Sequence, residues 1–278
     1  MPRIGSSERP DLKLAVVVSA GGMGVAAARR LAQNHRVLIA DIDGESAARA
    51  ADRLRSEGGD AQGVACDITD PAAVERLGET IDASGGFRVL AHVAGLSPSM
   101  GDFRTLMRVN LLGAVAVAEA LRPRAPTGGA AILISSLAAH NFRPSEAVEA
   151  ILRDPFDPEL VEKLAAALGE QEATPQQAYV LSKYALMAYC RREAAAWGTR
   201  GARIVSLSPG LIATPQGARE FERSAGKMKL YERTPLGREG TMLEIADAIE
   251  FLASDRASFI SGTDLLVDGG LAGTLASD

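Results

Sequence analysis

Seven short apolar runs, separated by segments of helical character, predict a single doubly wound α/β domain with a mainly parallel sheet of about seven strands. Three observations carry that expectation. Strand-like and helix-like segments alternate to the end of the chain, no linker or repeat interrupts them after residue 10, and a glycine-rich turn joins the first run to the first helix. Residues 1–10, with their Pro, Gly and Ser, read as a loose tail, leaving 11–278 as one domain. A chain of 278 residues is long enough to bury a core of that size.

The elements follow in order. "LKLAVVV" (12–18) is a β-branched run of buried-strand character, and "GVAAARRLAQN" after it is helical. "RVLIAD" (36–41) is the second strand, followed by a helix from Glu45 to about Glu57. "AQGVACD" (61–67) is the third, and "PAAVERLGETI" begins with Pro71, whose fixed φ suits a first helical position. "FRVLAHVAG" (87–95), "AAILISS" (130–136), "ARIVSLS" (202–208) and "DLLVDGG" (264–270) complete the sheet. The longest helix spans 174–198, with a Thr174–Gln177 capping box, Pro175 at its first turn and Gly198 at its end. Before it lies a helical insert at about 140–175. Asp157 and Pro158 start its second helix, where Leu160, Leu164 and Leu168 form an apolar stripe. That stripe suits packing against the body or a second subunit, or a cap over a pocket.

Composition excludes several classes. Apolar residues make up 47% and charged residues 23%, ordinary for a globular protein. A net charge of −5 offers no basic footprint for nucleic acid or an anionic membrane, and 4% aromatics supply few stacking platforms. Cys66 and Cys190 cannot build a disulfide framework, which points to a reducing compartment. With no apolar run of signal-peptide or membrane-spanning length, a cytoplasmic protein is expected. His35, His92 and His140 make no zinc pattern, so no metal is expected, and His92 reads as a satisfied strand-end histidine.

In doubly wound sheets ligands bind beyond the carboxyl ends of the strands. Gly21, Gly22 and Gly24 would let the backbone approach a pyrophosphate at a helix N-terminus. The literal G-x-G-x-x-G is absent, because Val18 and Ser19 stand where its first glycine belongs. The turn alone fits a cofactor cradle and a ligand-free turn equally. Ser19 either bends the backbone in glycine's place or offers its hydroxyl to the phosphate side. Asp41 ends the second strand 19 residues beyond Gly22, near the offset at which an acid bonds the adenosine ribose. A carboxylate there repels a 2′-phosphate, favouring NAD over NADP; the competing role is a helix cap, which Asp43 or Ser46 could also fill. Asp67 suits either an adenine-edge contact or a turn before Pro71. Tyr179 and Lys183, four apart on one helix face, pair a phenol with a cation. A phenol of pKa near 10 needs such a neighbour to exchange a proton at neutral pH.

The ordered set of glycine turn, Asp41, "HVAG", Asn110 in "VN", "ISS", "YVLSK", "SPGLIATP" and "DGG" resembles the short-chain dehydrogenase/reductase family over nearly all of 12–270. The resemblance implies a Rossmann-type fold and an oxidoreductase that interconverts a secondary alcohol and a ketone by hydride transfer to or from NAD. Tyr179 would be the acid/base, Lys183 would bind the nicotinamide ribose and tune Tyr179, and Ser136 would orient the substrate oxygen. Asn110 would hold a backbone kink and a water in the proton path. The cofactor groove would comprise Ser19, Gly21, Gly22, Met23, Gly24, Asp67, Ile68, Ala94 and Gly95. Pro209, Gly210, Ile212 and Thr214 would shape the nicotinamide pocket.

Three departures accompany it. The first turn glycine is missing, and His92 and Val93 replace the asparagine pair before Ala94–Gly95. Forty-two residues also separate Ser136 from Tyr179, more than in most of the family. The insert, "AGLSP" and "AAAWG" resemble the bacterial 3α-hydroxysteroid dehydrogenase/carbonyl reductase group, which implies a hydrophobic, steroid-like or alicyclic substrate. The polar segment 215–240 is expected to face the substrate, where Met228, Leu230 and Tyr231 would either line the pocket or pack on the surface. The alternatives are an NADP-dependent carbonyl reductase and a non-catalytic dinucleotide-binding redox sensor. Family members are commonly homodimers or homotetramers.

Overall fold

The structure, a computed structural model, describes residues 12–169, 171–214 and 225–276. The expected tail and residues 215–224, part of the segment expected to face the substrate, lie outside it.

Chain order gives β1 (Leu14–Val18), α1 (Gly22–Leu31), β2 (Arg36–Asp41), α2 (Gly44–Ser56), β3 (Ala61–Ala65), α3 (Pro71–Ala83) and β4 (Val89–His92). Then come α4 (Phe103–Met107), a π-helical turn (Arg108–Gly113), α5 (Ala114–Leu121), β5 (Ala130–Ile134), α6 (Glu146–Leu152), α7 (Leu160–Leu168), α8 (Pro175–Gly198) and β6 (Arg203–Pro209). The remainder is β7 (Ile212–Ala213), α9 (Ala225–Glu232), β8 (Gly240–Thr241), α10 (Met242–Ala253), β9 (Asp264–Val267) and α11 (Leu271–Leu275). Among the described residues no helix is long and apolar enough to cross a membrane.

Seven parallel strands form one sheet in the order β3-β2-β1-β4-β5-β6-β9. β1 is flanked by β2 on one side and β4 on the other, so the order reverses beside it. Val18, the last residue of β1, pairs with Ala40 and with His92. The crevice opened by that reversal therefore starts directly above the glycine turn.

Both faces of the sheet are covered. All five residues of β1 are buried, which is why the parallel strands read as unbroken apolar runs. Alternate side chains supply two cores. Val16, Val18, Leu90 and Leu133 pack with α3, α4, α5 and α8. Val17, Ile39, Val89 and Ile132 pack with α1, α2 and α10.

The insert folds as α6 and α7 against the first core. Leu160 and Leu164 are fully buried there, and Leu168 packs half-buried beside them. Arg104 of α4 makes a paired contact to Glu162 of α7, with Nε–Oε1 at 2.8 Å. α7 starts at Leu160 and not at Asp157–Pro158. Asp157 instead accepts the Glu159 amide at 2.8 Å and the Lys163 ammonium at 2.6 Å, which holds the preceding turn. At α8 the Thr174 hydroxyl accepts the Gln177 amide at 3.2 Å. The reciprocal two-way capping box lies at Thr241 and Glu244 of α10.

Candidate active site

A cleft of about 420 Å³ opens over the carboxyl ends of β1, β4, β5 and β6. Its floor on one side is the turn after β1. Ser19 takes a positive φ of 140°, the conformation that the missing glycine would adopt without cost. Its hydroxyl accepts the Gly21 amide at 3.0 Å, and its own amide bonds the Ala40 carbonyl at 2.8 Å. Serine thus bends the chain in glycine's place and stiffens the bend with its side chain.

Gly24 then has no substitute. A Cβ there would sit 2.3 Å from the Ser19 carbonyl oxygen. The first turn of α1 carries no side-chain cap, so its leading amides face the cleft with the helix dipole behind them. Backbone this bare at a helix N-terminus fits a pyrophosphate.

Asp41 sits at the end of β2, and its carboxylate grips the turn. Oδ2 accepts the Ala20 amide at 2.6 Å and Oδ1 the Asp43 amide at 3.0 Å. The cap of α2 is Asp43, which accepts the amides of Glu45 and Ser46, so the helix-cap alternative for Asp41 falls away. Asp41 does not line the cleft itself.

The opposite wall carries the polar side chains. Ser136 follows β5, and its hydroxyl accepts the Ala138 amide at 3.2 Å, which leaves its hydrogen for a ligand oxygen. Its neighbour Ser135 is buried and donates to the Lys183 carbonyl at 2.8 Å, pinning α8 to the sheet. Tyr179 and Lys183 project from α8 into the cleft, with Lys183 Nζ 5.8 Å from the phenol ring centre. Lys183 is only 4% exposed and donates to the Ile134 carbonyl at 2.8 Å. Burial pushes its pKa down to about 8.

Asn110 lies one layer behind, 1% exposed in the π-helical turn. Its Oδ1 accepts the Leu96 amide at 2.7 Å and its Nδ2 donates to the Leu96 carbonyl at 2.9 Å. This two-way bond ties the widened turn to the loop after β4, so Asn110 holds a kink and caps no helix. Gly95, between them, is packed tightly: a Cβ there would lie 3.3 Å from both Asn110 Oδ1 and Lys183 Nζ.

Ten of the expected cofactor residues line the cleft with Ser136, Tyr179 and Lys183: Ser19, Gly21, Gly22, Met23, Gly24, Gly95, Pro209, Gly210, Ile212 and Thr214. Asp67, Ile68 and Ala94 do not. Asp67 closes a turn on the Thr69 amide and hydroxyl, while Asp70 caps α3. The Ile68 side chain is buried against Gly113 of the π-helical turn. The Ala94 amide bonds the Val18 carbonyl at 2.7 Å.

Sequence reasoning missed Val93, Leu96, Ser97, Ile134, Leu211 and Glu239 on the cleft wall. Val93, Ile134 and Leu211 sit at or beside a strand end, a signal that could have found them, and Leu96 and Ser97 lie in the loop after β4. Glu239 arrives through the pairing of β7 with β8, which has no local signature. The expectation of a satisfied His92 is also corrected. Its side chain is buried at the end of β4, and Nε2 has no hydrogen-bond partner among the described residues.

A family model described as enoyl-(acyl carrier protein) reductase matches residues 17–174 and 161–272. A short-chain dehydrogenase/reductase of Alternaria brassicicola is 30% identical over 95% of this chain and 97% of its own. A D-threitol dehydrogenase of Mycolicibacterium smegmatis is 31% identical over 94% of both chains. A 3-alpha-hydroxysteroid dehydrogenase/carbonyl reductase of Comamonas testosteroni is 29% identical over 92% of this chain and 95% of its own.

Proposed function

From the premise that the chain belongs to the short-chain dehydrogenase/reductase family, we propose that it is an NAD-dependent oxidoreductase acting on a hydrophobic secondary alcohol or its ketone. The observation that carries this reading is the convergence of Ser136, Tyr179 and Lys183 on the cleft that the glycine turn floors. A bound nicotinamide supplies the hydride acceptor or donor.

The chain's own residues do the rest. The Ser136 hydroxyl donates to the substrate oxygen and fixes its position. Tyr179 takes the hydroxyl proton in oxidation and returns it to the carbonyl oxygen in reduction. The Lys183 cation, close to the ring, favours the phenolate during that exchange. Leu96 and Leu211 give the cleft apolar wall, which suits an alicyclic skeleton better than a polyol. The anchored Asp41 carboxylate places negative charge at the β2 end, where a 2′-phosphate would be repelled and ribose hydroxyls welcomed.

The test pairs binding with turnover. NADH and NADPH are titrated by fluorescence, and NAD reduction is followed with a 3α-hydroxysteroid, cyclohexanol and threitol. The expected result is tighter NADH binding and turnover of the alicyclic alcohols. Tyr179→Phe should lower kcat by roughly 10²–10⁴-fold with NADH affinity kept. Tighter NADPH binding overturns the cofactor choice. Retained NADH binding without turnover of any probe overturns the proposed reaction.

A further inference from the structure

β4 ends at His92, in register between Val18 of β1 and Leu133 of β5. Its side chain is 1% exposed, on the sheet face that α8 and the π-helical turn cover. Nε2 has no hydrogen-bond partner among the described residues. A neutral imidazole with its proton on Nδ1 presents Nε2 as a buried acceptor without a donor. An orphaned polar atom at such depth is costly and calls for an explanation.

The complementary group reaches the same strand end: a Cβ at Gly95, three residues beyond His92, would lie 3.3 Å from Lys183 Nζ. Lys183 carries three donor hydrogens into a buried site, and one bond, to the Ile134 carbonyl, is found for them. Ile134 directly follows Leu133, the strand partner of His92. Val18 and Leu133 beside the ring are apolar, so the charged group acting on His92 is Lys183 of α8, whose field adds to burial in pushing the imidazole down to about 3. His92 is therefore neutral at working pH and able to accept.

We propose that His92 is a positioning residue for the Tyr179–Lys183 pair, accepting a hydrogen bond from the Lys183 ammonium through one bridging buried water. No direct bond joins the two groups, and a water between them satisfies both. The bridge gives the ammonium a second acceptor besides Ile134, holding it charged and fixed beside the Tyr179 ring. The chemical meaning of that position rests on the oxidoreductase reading, but the contact itself does not.

The test needs no substrate. Protein labelled with ¹⁵N-histidine is compared with His92→Gln, which assigns the His92 signals, and with Lys183→Met. The expected His92 spectrum is a neutral Nδ1–H tautomer whose Nε2 is hydrogen-bonded in wild type and loses that bond in Lys183→Met. An unbonded Nε2 in wild type, or one indifferent to Lys183→Met, overturns the proposal. Lys183 is then titrated through its ¹³Cε resonance. His92→Leu should lower its pKa by about one unit, and His92→Gln, which keeps an acceptor, should restore most of it. An unchanged Lys183 titration in His92→Leu also overturns the proposal. If His92→Leu does not fold, the wild-type spectrum decides. Loss of the oxidoreductase reading would show separately, as absent turnover in wild type with these spectra intact.

Discussion

Lys183 is a charged residue kept where charge is costly. Its pKa falls from the ordinary 10.5 to about 8 through burial, and a shift of that size corresponds to about 3 kcal/mol. Between those two values the unfolded chain holds the extra proton, so stability rises with pH there and the full cost applies below pH 8. Lys183→Met keeps the stem and removes the charge, so it should raise the urea midpoint at pH 7 by the equivalent of about 1–3 kcal/mol while abolishing turnover. Ser19 shows the same tension in the backbone. With φ at 140° a Cβ is strained, and the bond to the Gly21 amide offsets part of that strain. Ser19→Ala keeps the strain and loses the bond, whereas Ser19→Gly loses both. The glycine variant should therefore be the more stable of the two by about 1–2 kcal/mol in thermal melts. At this scale the side chains proposed to react were legible in the sequence, because Tyr179–Lys183 and Ser136 sit in short local patterns. Their partners were not. Leu96, which holds Asn110, and Ile134, which holds Lys183, act through main-chain groups whose position depends on tertiary packing.

α7 is the element whose role the sequence left open, and its packing answers on one side. Leu164 is fully buried in the core shared with α4 and α8, and no residue of α6 or α7 lines the cleft. Leu164→Ala should therefore lower stability by about 2–5 kcal/mol while NADH affinity of the folded protein changes less than about twofold. A large loss of NADH affinity, measured well below the melting temperature, would return α7 to the role of a cap. The strands were legible because burial on both faces writes them as continuous apolar runs. The π-helical turn was not, since one extra residue in "LMRVNLLGA" leaves the apolar pattern unbroken. The start of α7 also shifted, because Asp157 serves the turn and Lys163 in place of a helix cap.

The whole molecule is organised by one topological fact, the reversal of strand order beside β1. It brings the ends of β1, β4, β5 and β6 to one cleft, and the end of β4, His92, is buried. His92 therefore couples the site to global stability. Its pKa of about 3 in the fold lies below the ordinary 6.5. In the window between them the unfolded chain binds the extra proton, so stability is fully present above pH 6.5 and drains as pH falls toward 3. The slope from this one group is about 1.4 kcal/mol per pH unit once the window is entered. Glu244 loses support in the same direction further down, since Arg238 and the Thr241 amide hold it at about 2. Urea midpoints taken from pH 7 to pH 4 should fall steeply for wild type. For His92→Gln, which has no ring to protonate, the same series should run flatter by roughly that slope, whatever its stability at pH 7. Equal slopes in the two proteins would mean that His92 is protonated as readily in the fold as outside it, which a fully buried imidazole beside an ammonium does not permit.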